Sequence, residues 1–239
     1  MNVLKGVIMT EEVKRCLKEL VIFSKLEWNE VQLICEMAYE KQYHKNEIIF
    51  FEESENEELY ILVEGRVKLS MLSPDGKEKA ITILQQGDIF GEISLFNDDS
   101  HPITAEVMED ARLVIISLED LESIIMKKPG VAIKIIQALS RKTRLLTGQV
   151  RELVFHDAEG RLASLLVRFA EDFGIDVKSG KMIDLIMTHQ DIANLIGTSR
   201  VTVTKLINNF IDKEFIKIYK RKIVLLDEKS LGEKLQTIL

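Results

Sequence analysis

Two cysteines, Cys16 and Cys35, are all that the 239-residue chain holds. Two isolated thiols exclude a disulfide framework and a four-thiolate metal site, and they fit buried thiols in a reducing compartment. No uninterrupted apolar run approaches the roughly 18 residues of a membrane span, and no charged-then-apolar leader opens the chain. A soluble, unsecreted, cytoplasmic protein without membrane contact is therefore expected. Histidine is scarce as well. Only His44 and His101 of the four lie in or beside the strand-rich segment described below, without the paired spacing that a metal site of His and carboxylate ligands requires. No metal ligands and no catalytic residues are assigned, and the chain is not expected to be an enzyme.

Positive charge is in deficit overall, at a formal net of −7, but the deficit is confined to one part of the chain. Residues 1–128 carry 14 basic and 26 acidic side chains, whereas residues 129–239 carry 18 and 13. An acidic sensor joined to a basic effector is the simpler description, and the length suffices for two separate cores. Residues 10–40 read as helical, through Val13, Leu17, Leu20, Val31, Leu33, Ile34 and Met37. From Ile48 to Ser117 short β-rich runs recur: Ile48–Phe51, Leu59–Val63, Val67–Leu72, Ala80–Leu84, Ala105–Met108 and Leu113–Ile116. Turn signals separate them at Glu64-Gly65, Pro74-Asp75-Gly76, Gln86-Gly87-Asp88 and Asn97–Ser100. That spacing predicts an antiparallel barrel or jelly roll, hence an α+β chain. Leu118–Met126 returns to a helical pattern.

Pro129 suits the first turn of a long helix reaching about Phe155. Along it Ala132, Ile136, Leu139, Thr143, Leu146, Val150 and Leu153 alternate at spacings of four and three, which predicts a coiled-coil seam between two copies of the chain. Phe155-His156 reads as a hinge, Asp157 as the cap of the next helix, and Leu162–Phe173 as the core helix of the last domain. The expected domains are 1–128 for sensing, 129–156 for dimerisation and hinge, and 157–239 for DNA binding.

The segment Thr188–Ile207 reads as a helix-turn-helix. Thr188 can cap the first helix with Asp191 completing a capping box, Gly197 can end it, and Ser199 can cap a second helix running to about Lys213. Val203, Leu206, Ile207 and Phe210 then face inward. Arg200, Val201, Thr204 and Lys205 are left outward for base edges in a major groove, with Ser199, Thr202, His189 and Lys220 assigned to phosphates. Phe215–Tyr219 and Ile223–Leu226, joined by Lys220-Arg221-Lys222, read as a wing hairpin. Between Asp184 and Leu226 seven basic residues face four acidic ones, as phosphate binding requires.

The order helix, β-roll, long helix, winged helix-turn-helix resembles the Crp/Fnr family of bacterial transcription regulators over nearly the whole chain. The likeness rests on Leu59–Val67, on Gly87-Asp88-Ile89-Phe90-Gly91-Glu92-Ile93-Ser94-Leu95-Phe96, on Asp157–Arg161 and on the helix-turn-helix. It implies a homodimer on a palindromic operator with half-sites roughly 34 Å apart, RNA polymerase as a partner, and activation or repression by a small molecule in the roll.

The resemblance also places an effector pocket on Gly91, Glu92, Ile93, Ser94, His101, Pro102, Ile103, Leu146 and Thr147. In nucleotide-binding relatives an Arg-Ser pair holds the cyclic phosphate; aligned back from Glu109-Asp110-Ala111, those positions are His101 and Pro102, or Pro102 and Ile103 if shifted by one. Neither placement supplies an arginine, and Pro102 has no N–H to donate. On the long helix Leu146 and Thr147 replace a Thr-Ser pair. The implied effector is an apolar or acidic small molecule rather than cyclic AMP. Haem or redox sensing stays as an alternative, with His44, His101 or Cys35 as ligands, as does a β-roll metalloenzyme fused to a DNA-binding domain; two cysteines exclude the family's iron-sulfur cluster. At the DNA, Arg200 and Lys205 match base-reading positions of the family, while Val201 replaces a glutamate that accepts from cytosine. A valine packs on a thymine methyl instead, so A/T-rich half-sites are expected.

Overall fold

The computed structural model describes residues 11–20, 27–55, 57–95, 100–227 and 231. The chain forms two compact units, residues 1–143 and 144–239. In the first, helices α1 (Glu11–Glu19) and α2 (Trp28–Met37) precede strands β1 (Tyr39–Tyr43), β2 (Ile48–Phe50), β3 (Glu58–Leu72), β4 (Glu78–Leu84) and β5 (Ile89–Phe90). The four-residue helix α3 (Glu92–Leu95), strand β6 (Thr104–Ser117) and helix α4 (Leu118–Lys127) follow. The strands hydrogen-bond in the order β1-β6-β3-β4, with β2 on β6 and β5 on β3, all antiparallel.

The centre of the sheet is buried on both sides, which accounts for its continuous apolar runs. On β3, Leu59, Ile61 and Val63 face a core shared with Val13 and Leu17 of α1, Ile34 of α2 and Leu121 of α4, while Tyr60 and Leu62 face the inside of the roll with Phe50, Phe90, Leu113 and Ile115. Alternate side chains point to opposite faces, so a strand covered on both must be apolar throughout. At roughly 1.5–3 kcal/mol for each fully buried large aliphatic or aromatic side chain, these two layers dominate the unit's stability.

Several sequence expectations need correction. Glu64-Gly65 is no turn between two strands but a bulge within β3, where the register against β6 shifts. Gly65 sits at φ +91°, and a Cβ there would stand 2.3 Å from the carbonyl oxygen of Asp110, so only glycine lets the two strands stay paired. Likewise 105–108 and 113–116 belong to one strand, β6. The helical reading of 10–40 ends too late, because Tyr39 and Glu40 open β1, a polar edge strand with no apolar period to betray it. Residues 10 and 21–26 of that reading, and Asn97–Asp99 of the expected turn, lie outside the described residues.

In the second unit, the C-terminal part of helix α5 (Gly130–Phe155) leads to α6 (Ala158–Phe173), strands β7 (Gly174–Val177) and β8 (Gly180–Ile183), helices α7 (His189–Ile196) and α8 (Arg200–Asp212), and strands β9 (Ile216–Tyr219) and β10 (Lys222–Leu225). The strands form one sheet in the order β7-β8-β10-β9. The β7–β8 hairpin leaves no signal in the sequence, because four residues per strand are too few to show a period. Asp157 caps α6 as expected, accepting from the Gly160 N–H at 2.8 Å. Among the described residues no helix is long and apolar enough to cross a membrane.

Candidate nucleic-acid interface and sensing site

The turn between α7 and α8 is built almost wholly from local hydrogen bonds. Thr188 Oγ1 accepts from the Asp191 N–H at 3.1 Å, and Asp191 Oδ2 accepts from the Thr188 N–H at 2.7 Å, completing the capping box. Gly197 ends α7 in the left-handed conformation (φ 66°, ψ 54°), available to glycine at little cost, and Ser199 Oγ caps α8 by accepting from the Thr202 N–H at 3.1 Å. Val203, Ile207 and Phe210 are buried beneath α8; Leu206 is half-buried. Arg161 Nε, on α6, donates to the Ile196 carbonyl at 2.7 Å, and its Nη1 donates to His156 O at 2.8 Å. A cation at the carbonyl end of α7 complements that helix's dipole and ties α6 to the turn.

The residues expected at DNA divide by what holds them. Arg200, Val201 and Lys205 are exposed along the first turns of α8, Val201 at 65%. Thr204 is half-buried, with His189 Nδ1 2.8 Å from its hydroxyl, so only Nε2 of that histidine is left to meet a phosphate. Ser199 and Thr202 hydroxyls lie 2.9 Å apart and share one of their two protons. The wing turn is two residues, Lys220 and Arg221, with φ of 46° and 66°. That mirror-image turn favours Asn-Gly, yet here it carries two exposed cations at the tip. Arg221 was not among the expected contacts, though its position between two lysines was a signal.

In the first unit, Gly91, Glu92 and Ser94 are buried and Ile93 is exposed. Glu92 Oε1 is 2.7 Å from Lys142 Nζ on α5, and Oε2 is buried without a hydrogen-bond partner among the described residues. Lys142 is not among the residues expected in the pocket, though it stands one helical turn before Leu146. His101 is 1% exposed, stacks on Phe50 at 3.8 Å between centroids, and lies 3.0 Å from Ser94 Oγ through Nδ1. Burial holds its pKa below the ordinary histidine value, opposed by the nearby Glu92 carboxylate. The side chain aligned with a phosphate-binding arginine is thus an uncharged part of the roll's interior. Pro102 is exposed and Ile103 half-buried; Leu146 and Thr147 are exposed on α5.

Cys35 is buried, its thiol pushed up to about 11 by that burial, which keeps it protonated. Among the described residues no group of three or more His, Cys, Asp or Glu side chains is placed to hold a metal ion.

A β-roll sensing unit followed by a winged helix-turn-helix defines the class: an effector-responsive transcription regulator. Residues 40–128 match the cyclic nucleotide-binding domain family and residues 160–234 the Crp-like helix-turn-helix domain family. The chain is 31% identical to the global nitrogen regulator of Nostoc sp. over 77% of this chain and 83% of that one. It is 27% identical to the CRP-like cAMP-activated global transcriptional regulator of Mycobacterium tuberculosis, over 89% and 95%. Among solved structures, a CooA mutant from Carboxydothermus hydrogenoformans superposes with a TM-score of 0.73 at 28% identity, covering 83% of this chain and 88% of that one. The chain belongs to the Crp/Fnr family of transcription regulators.

Proposed function

We propose that the chain acts as a homodimer on a palindromic operator in double-stranded DNA, acting on RNA polymerase, under control of a small molecule other than cyclic AMP. The effector reading rests on one observation. At the positions where a nucleotide-binding relative places an arginine and a serine, this chain has a buried, neutral, ring-stacked His101 and an N–H-free Pro102. Without that guanidinium a cyclic phosphate lacks charge-assisted bonds of roughly 1.5–3 kcal/mol each. The effector instead meets Glu92 Oε2, which offers an acceptor to a hydroxyl or amine, and Lys142, which offers a cation to an acidic group. Calorimetry on dialysed full-length protein tests this. Cyclic AMP is expected to give no heat at micromolar concentrations; micromolar or tighter binding that also strengthens operator binding overturns it.

Support for the dimer comes from the two faces of α5. Val131, Ile135 and Ala138 are buried against the chain's own core, whereas Ile136, Thr143, Leu146, Val150 and Leu153 are exposed. An exposed, largely apolar stripe at seam spacing favours a second copy as its cover.

A further inference from the structure

Thr204, on the outward side of α8, has its single hydroxyl proton committed within the protein. Its Oγ1 lies 3.0 Å from the carbonyl oxygen of Arg200, one turn back along the helix, and 2.8 Å from Nδ1 of His189, the first residue of α7. A threonine hydroxyl has one proton. Whether that proton goes to Arg200 O or to an unprotonated Nδ1, it is directed at the protein. Thymine O4 and guanine O6 and N7 need a donor, so Thr204 has nothing to offer them. With Nδ1–H donating to Oγ1 and Oγ1–H donating to Arg200 O, an acceptor lone pair is spent too. The two substituents on a β-branched carbon diverge, so with the oxygen turned back onto Arg200 O the Cγ2 methyl takes a different direction from the hydroxyl.

We propose that Thr204 reads DNA through this methyl group, packed against the 5-methyl of a thymine, and that His189 is the residue that holds it in that orientation. Resting on the reading of α8 as the recognition helix, this makes Val201 and Thr204, three residues apart on one face, an apolar pair for two thymines, flanked by Arg200 and Lys205. The half-site then contains two thymine methyl contacts rather than one, which none of these side chains reads by a hydroxyl.

The experiment uses the full chain and the operator it selects from a random DNA library. Each half-site thymine is replaced in turn by deoxyuridine, which differs only in lacking the 5-methyl group. One replacement should weaken binding roughly fourfold, the worth of one buried methyl, and should be distinct from the one whose effect disappears in Val201→Ala. Thr204→Val keeps the shape without the hydroxyl, and should bind within about twofold of the unsubstituted chain with the deoxyuridine penalty intact. Thr204→Ser keeps the hydroxyl without the methyl, and should lose that penalty. The proposal is overturned if Thr204→Ser retains the preference while Thr204→Val loses it, or if no thymine responds to Thr204; the deoxyuridine scan of the unsubstituted chain stands even if a variant fails to fold. Failure of the recognition-helix reading itself looks different: no sequence is enriched, and Arg200→Ala and Lys220→Ala change nothing.

Discussion

A stacked, buried imidazole makes the roll sensitive to acid. Because burial lowers the His101 pKa, the folded chain binds that proton less readily than the unfolded chain does. The stability of the neutral ring is fully present above the unfolded value of about 6.5 and is lost as pH falls from there through the lowered folded value. Melting temperatures measured between pH 7.5 and 5 should therefore drop more steeply for the unsubstituted chain than for His101→Phe, which keeps the stack on Phe50; equal slopes would contradict this. Asp88, whose carboxyl burial pushes upward, contributes in the opposite direction and is common to both proteins. Gly65→Ala drives a methyl into the Asp110 carbonyl at a positive φ, and should cost at least about 2 kcal/mol in chemical denaturation. None of this was readable locally: His101 stood in the sequence as an isolated histidine, and its burial depends on Phe50 and Ser94, brought to it by the closure of the roll.

The wing, the recognition helix and α5 each answer to a different perturbation. Lys220 and Arg221 hold left-handed conformations that cost roughly 1 kcal/mol each outside glycine, asparagine and aspartate. Replacing the pair by Asn-Gly should raise the melting temperature of the DNA-binding unit while weakening operator binding, and an unchanged affinity would remove the wing tip from the interface. Arg200→Ala should cost roughly 1–3 kcal/mol and relax sequence preference, whereas Lys220→Ala should weaken all sequences alike; library selection and titration at several salt concentrations separate the two. On α5, Leu139 is half-buried and packs against its own unit's core, so a charge there damages the fold as well as the seam. Leu146, 45% exposed, is the cleaner site, and Leu146→Glu should yield a folded monomer by sedimentation.

At the scale of the molecule, charge is sorted along the chain, with the acidic excess in residues 1–128 and the basic excess beyond. If the basic side chains of α8 and the wing supply the phosphate contacts, as proposed, operator affinity should fall steeply with added salt. The division between the two compact units falls within α5, between Thr143 and Arg144.

The helix-turn-helix was determined by sequence alone, because a capping box, a left-handed glycine and a serine cap lie within a few residues of the atoms they satisfy. The apolar stripe of α5 was legible for the same reason, since helical periodicity is local. Only the tertiary structure decided that β3 and β6 run unbroken past a bulge, because strand continuity depends on a partner some 45 residues away that offers its hydrogen bonds in register. It also decided that Glu92 meets Lys142 and that His189 meets Thr204. A side chain's partner, and with it the chemistry left for a ligand or a base, is set by which distant elements the packed core brings together.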